Sequence, residues 1–162
     1  MKNTFCALVA FLAVVAPSWA ADDPTIERLA LCRDSWVDWS KSNPAQMDAL
    51  RNSIMAGYTQ RQGDPFYVPK TAKSFAGYKV IQLFPGNVGM GVGFSIVVDG
   101  TFGKVQQSVE KMLGKPLKDC STSDGMHSCE LDIADQRTVT LMAGDDPKSS
   151  KTLVGCYYFY EK

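Results

Sequence analysis

The sequence has a single histidine, His127, and that scarcity removes much enzymology. A metal site with two imidazoles cannot be built from one such chain. No G-x-S-x-G, H-E-x-x-H or phosphate-binding P-loop is present. A Ser-His-Asp arrangement would have to use His127, and nothing beside it marks a serine partner. Excess charge is lacking too: 17 Lys and Arg balance 17 Asp and Glu among 162 residues. Nucleic-acid binding and polybasic attachment to a membrane surface both need a basic excess, so neither is expected. Outside the N-terminal segment no apolar run approaches the roughly 18 residues that a spanning helix needs, so no transmembrane segment is expected in the mature chain.

What is present begins with an address. Lys2 supplies one positive charge, Phe5 to Val15 is an unbroken run of apolar and small residues, and Pro17 is followed by Ser18-Trp19-Ala20. That is the charged, apolar and small-residue order of a secretory signal peptide, with cleavage after Ala20. Residues 1–20 are therefore expected to be removed, leaving 21–162 as one periplasmic or secreted domain. A lipidation box at Leu29-Ala30-Leu31-Cys32 is disfavoured by the charges that precede it and by the bulk of Leu31.

Five cysteines occur, and Cys6 leaves with the signal segment. The four that stay, Cys32, Cys120, Cys129 and Cys156, read as two disulfides in an exported chain. Of the three connectivities, Cys120–Cys129 and Cys32–Cys156 is favoured. The first pair flanks the turn-rich Ser121-Thr122-Ser123-Asp124-Gly125, and the second ties the first helix to the last strand. On a chain-entropy model the two bridges contribute about 2.7 and about 5 kcal/mol.

Pro24 can open a helix, and Ile26, Leu29, Cys32, Trp36 and Trp39 recur on one helical face. Asn43-Pro44 can cap a second helix, with Met47, Leu50, Ile54 and Tyr58 on one side. Gln60 to Ser74 reads as an irregular connection. Tyr78 to Phe84 reads as a strand, Pro85-Gly86-Asn87 as a turn, and Met90 to Val98 as an alternating strand. Phe102, Val105, Val109, Met112 and Leu113 stripe another helix, stopped by Gly114 and Pro116. Strands then follow from Cys129, from Arg137 and from Thr152. The expected class is α+β: an N-terminal helical pair, then a mostly antiparallel sheet with one inserted helix, in the order α-α-β-β-α-β-β-β.

Several constellations invite chemistry. Cys120, His127 and Cys129 have a zinc-like spacing, but export points to oxidised thiols there. Cys32 with His127 suggests a thiol hydrolase, but Cys32 reads as mid-helix on the apolar face, and its use would leave an odd cysteine. The glycines between Gly86 and Gly93 alternate with apolar residues, so they read as a smooth sheet face rather than a nucleotide loop. Asp145-Asp146 reads as a solvated turn. No residue is assigned as catalytic, and neither a metal nor a cofactor is implied. The aromatic run Tyr157-Tyr158-Phe159-Tyr160 is the most suggestive feature, with Tyr158 and Tyr160 on one face as the candidate binding residues. The helical pair before a sheet and the Leu113-Gly114-Lys115-Pro116 stop resemble small periplasmic α+β inhibitor and assembly-factor modules. Together these features imply a non-enzymatic exported module that binds another exported protein, as an inhibitor or immunity protein does. The alternatives are an envelope assembly or structural accessory protein, a carrier of a small ligand, and a thiol hydrolase.

Overall fold

The computed structural model describes residues 22–36, 44–60, 62–88, 91–134, 136–146 and 148–159. The expected signal segment 1–20, Trp39, the Asn43 cap, Met90 and Tyr160 lie outside the described residues.

Asp23 opens α1 (Pro24–Ala30). Its carboxylate accepts the backbone N–H of Thr25 at 3.1 Å and of Ile26 at 3.4 Å, with Pro24 in the first turn. The apolar spacing predicts a helix running past Trp36, but the helix ends after Ala30. The N–H groups of Arg33 and Asp34 both return to the Arg28 carbonyl, and Cys32 takes a left-handed φ of 56°. Arg28 then holds Asp34 through two hydrogen bonds, at 2.6 and 2.7 Å. Ile26 and Leu29 enter the core from α1, while Cys32 and Trp36 reach it from the turn.

Helix α2 (Pro44–Ala56) is followed by β1 (Tyr58–Gln60), β2 (Tyr67–Pro69) and β3 (Ser74–Phe75). The stretch that reads as irregular, Gln60 to Ser74, therefore contains β2, and β1 and β3 overlap its two ends. Next come β4 (Tyr78–Val88) and β5 (Gly91–Asp99), then α3 (Phe102–Leu113), closed by Gly114 at φ 67°. Pro85-Gly86-Asn87 is not a turn: Pro85 pairs with Phe94, Gly86 with Gly93 and Asn87 with Val92. Proline is tolerated there because β2 pairs with β4 only at Tyr67–Leu83, so Pro85 lies where β4 is the sheet edge. The chain ends with β6 (Lys118–Ser123), β7 (Met126–Ala134), β8 (Arg137–Gly144) and β9 (Lys151–Phe159). Relative to the expected order, three short strands are added before β4 and one before β7.

Every named strand pairing is antiparallel. The sheet runs β1-β2-β4-β5-β9-β8-β7-β6, with β3 beside β4. Helix α1 touches β5 and β9, and α3 touches β8 and β9. Ile26, Leu29, Val105 and Val109 thus close over Phe94, Ile96, Leu141 and Val154. Burying this apolar face is the main stabilising term of the fold. The Cys32–Cys156 bridge crosses the core and joins residues 124 apart in sequence. No described helix is long and apolar enough to cross a membrane.

Candidate functional site

Tyr158 shares its sheet face with Val154 and Cys156, by strand alternation. It is half-buried and packs against the core, with its hydroxyl hidden from solvent. The structure therefore packs Tyr158 against the core on the sheet face of Val154 and Cys156, and Tyr160, expected on the same face, is outside the described residues. The opposite face receives Tyr157, only 2% exposed. The ring of Tyr157 lies against Gly93 and Gly155, where a Cβ would have no room. Gly93 serves this close packing inside strand β5, and Gly86 lies in β4 against the ring of Phe84.

The open element is the hairpin of β6 and β7. All six residues of β6 are exposed, and none contributes to the core. Asp124 and Gly125 form its two-residue turn at φ 52° and 73°. Two positive φ values are what a tight type I′ hairpin requires, and Asp-Gly supplies them at low cost. The Cys120–Cys129 bridge clamps the base, between an exposed Cys120 and a buried Cys129. Ser121 and Ser128 hydroxyls meet at 3.0 Å across the strands. Nearer the tip, Thr122 Oγ1 lies 2.7 Å from His127 Nδ1. Met126, 45% exposed, projects beside the turn.

A second contact holds the tip. The Asp145 N–H donates to the Gly125 carbonyl at 2.7 Å, and Asp145 Oδ1 lies 3.0 Å from His127 Nε2. With Nε2–H directed at the carboxylate, Nδ1 accepts from the Thr122 hydroxyl. Phe102, in the first turn of α3, sits with its ring 5.9 Å from the imidazole. Between these groups is an open cleft of about 570 Å³, lined by Phe102, Gly103, His127, Gly144, Asp145 and Asp146 among others. The order hydroxyl, imidazole, carboxylate resembles a hydrolase relay. However, Thr122 does not line the cleft, so a molecule seated there meets the Asp145 side of the ring and not the hydroxyl.

The remaining sites suggested by the sequence resolve as follows. Cys120 and Cys129 are bonded to each other, so the zinc-like spacing around His127 offers no free thiolate. Cys32 is bonded to Cys156 and buried. Among the described residues no group of three or more His, Cys, Asp or Glu is placed to hold a metal. Tyr58 is buried beside Lys73, whose ammonium lies 5.8 Å from the ring centre. Burial, with a smaller effect from the Asp23 charge, pushes the Tyr58 hydroxyl well above its ordinary pKa. Burial also raises Tyr157, against the opposing effect of Ser95. Sequence reading missed the hairpin as a unit. The available signal was Asp124-Gly125 centred between two cysteines, with polar residues filling both arms. No family model, no curated protein and no solved structure matches this chain.

Proposed function

We propose that this protein is a small exported, non-enzymatic binding module that acts on another exported protein, as an inhibitor or immunity-type protein does, and that the β6–β7 hairpin is its recognition element. One observation carries the reading: six consecutive β6 residues stay exposed in a segment that a disulfide, a tight turn and the Asp145 contacts hold in one shape. Core formation does not require such an arm. A binding element benefits from it, because fixing the bound shape in advance lowers the ordering cost of association. Asp124 and Met126 at the tip supply a charge and a flexible apolar side chain for a partner's cleft.

The test starts with capture of partners by the immobilised oxidised protein from envelope fractions and culture fluid of the source cells. Calorimetry then compares the captured partner's affinity for the wild type and for a D124N/M126A variant, in which Asn removes the charge but keeps the left-handed turn position. A drop of about tenfold or more, with an unchanged circular dichroism spectrum and melting temperature, is expected. Equal affinity for both proteins removes the hairpin from the recognition surface.

A further inference from the structure

We propose that Cys120–Cys129 is a thiol–disulfide exchange site, open to a dithiol reductant, and that exchange there releases β6 from the sheet. The two bridges of this protein differ in access at one sulfur: Cys129 is as buried as Cys32, at 2%, but Cys120 is exposed. Cys32 and Cys156 are both buried in the core, at 2% and 1% exposure, with no approach for an attacking thiolate. Cys120 lies on an edge strand whose six residues are all exposed. Access to a sulfur is a primary control on exchange, and exposed bridges are the labile ones.

The bridge also sits at an irregularity of its hairpin. The β6–β7 ladder is broken between Lys118 and Ser121, so Asp119 and Cys120 have no paired residue across the strands. Asp119 takes a left-handed φ of 46° in the same break. The covalent link therefore stands where ladder pairing is absent. No β6 side chain reaches the core to replace it.

The chemistry balances within a dithiol. One thiolate of the dithiol bonds to Sγ of Cys120, the S–S bond breaks, and Cys129 leaves as a thiolate that takes up a proton. The second thiol of the reductant loses its proton and attacks the reductant's own sulfur in the mixed disulfide. Cys120 then leaves as a thiolate and is protonated in turn. Two electrons and two protons have passed to the protein, and the dithiol has become a disulfide. The exchange itself stands apart from the binding reading. A consequent loss of partner affinity rests on the hairpin being the recognition element.

The experiment is a dithiothreitol titration of the native, oxidised protein without denaturant. Free thiols are trapped with N-ethylmaleimide and located by peptide mass spectrometry. Label on Cys120 and Cys129 is expected at reductant concentrations that leave Cys32 and Cys156 unlabelled and the cooperative unfolding transition of the core intact. Equal resistance of the two bridges, or their reduction together with unfolding, overturns the exchange site. A C120A/C129A variant, read by limited proteolysis, checks the release of β6. Cleavage within residues 118–123 should rise by about tenfold or more over the oxidised wild type, and an unchanged rate overturns the release. Selective labelling and strand release with unaltered partner affinity would leave the exchange site standing and remove only the binding role of the hairpin.

Discussion

The ring of Tyr157 lies on the backbone of Gly93, its paired residue across β5 and β9. A Cβ on Gly93 would stand 2.7 Å from Tyr157 Cδ1 and would collide with the Cys156 carbonyl oxygen. Gly155 is also confined, though less tightly, by Ser95 at 2.7 Å and the same ring at 3.0 Å. Gly93→Ala should therefore destabilise the fold by about 2–3 kcal/mol, as overpacking does where the obstacle is backbone. Urea unfolding gives the value, and a loss below about 0.5 kcal/mol would mean that the ring does not need the bare backbone.

Tyr58 and Tyr157 make stability sensitive to alkali. Their hydroxyls are held above the ordinary tyrosine value of 10.0, mainly by burial. Below that value both are protonated in the folded and the unfolded chain, and their contribution is fully present. Above it the unfolded chain ionises first, so stability falls as pH rises, by up to about 1.4 kcal/mol per pH unit for each tyrosine. Thermal melts across this range, run beside phenolate ultraviolet absorbance, should show the fall in two-residue strength for the wild type and in weaker form for Tyr58→Phe. A melting temperature independent of alkaline pH would contradict the burial of both hydroxyls.

Removing the core bridge should cost more than removing the hairpin bridge. Cys32–Cys156 spans 124 residues and Cys120–Cys129 spans 9. The chain-entropy difference between loops of these lengths is about 2 kcal/mol. C32A/C156A and C120A/C129A variants, compared in urea, should keep that order. The reverse order would show that native-state contacts at the hairpin outweigh loop length.

His127 should contribute little to folding although it has a partner on each ring nitrogen. Its side chain is 40% exposed and that of Asp145 is 57% exposed, so solvent screens the pair. His127→Ala should change unfolding free energy by less than about 1 kcal/mol, while loosening the tip enough to speed amide exchange at Gly125 and Met126. Hydrogen-exchange mass spectrometry reads the second effect, and unchanged exchange would make the Asp145 N–H bond the sole latch.

Patterns that depend on long, regular repetition were legible in the sequence. Val105 and Val109 lie on the buried stripe of α3, and Gly114 ends that helix with the left-handed φ expected of a stop signal. The alternation through Phe94, Ile96 and Val98 marks β5 and its core face. Elements decided by tertiary contacts were not legible. The helical spacing through Cys32 and Trp36 continues where the backbone does not, because both side chains reach the same core from a turn. Strands β1, β2 and β3 have three, three and two residues, too few to show a period of two. Alternation separated Tyr157 from Tyr158 but could not say which face the helices cover. The first arm of the hairpin reads as a loop because it lacks the apolar residues by which a half-buried strand is recognised, while the second reads as a strand from Cys129.

Because Cys32 and Cys156 stand near opposite ends of the described chain, the order of synthesis enters their pairing. Cys32 is made first and must wait 124 residues for its partner. Cys120 is the next cysteine to appear and is a competing target for it. Cys129 follows only nine residues later and folds back beside Cys120 through the Asp124-Gly125 turn. Closing a loop of this size takes about 10–100 ns, while disulfide formation takes seconds to hours, so Cys129 meets Cys120 repeatedly before either is oxidised. A fast-closing hairpin thus favours Cys129 over Cys32 as the partner of Cys120, and so leaves Cys32 for Cys156 when β9 arrives. Slowing that turn, and altering neither core cysteine, is enough to raise the share of mispaired chains.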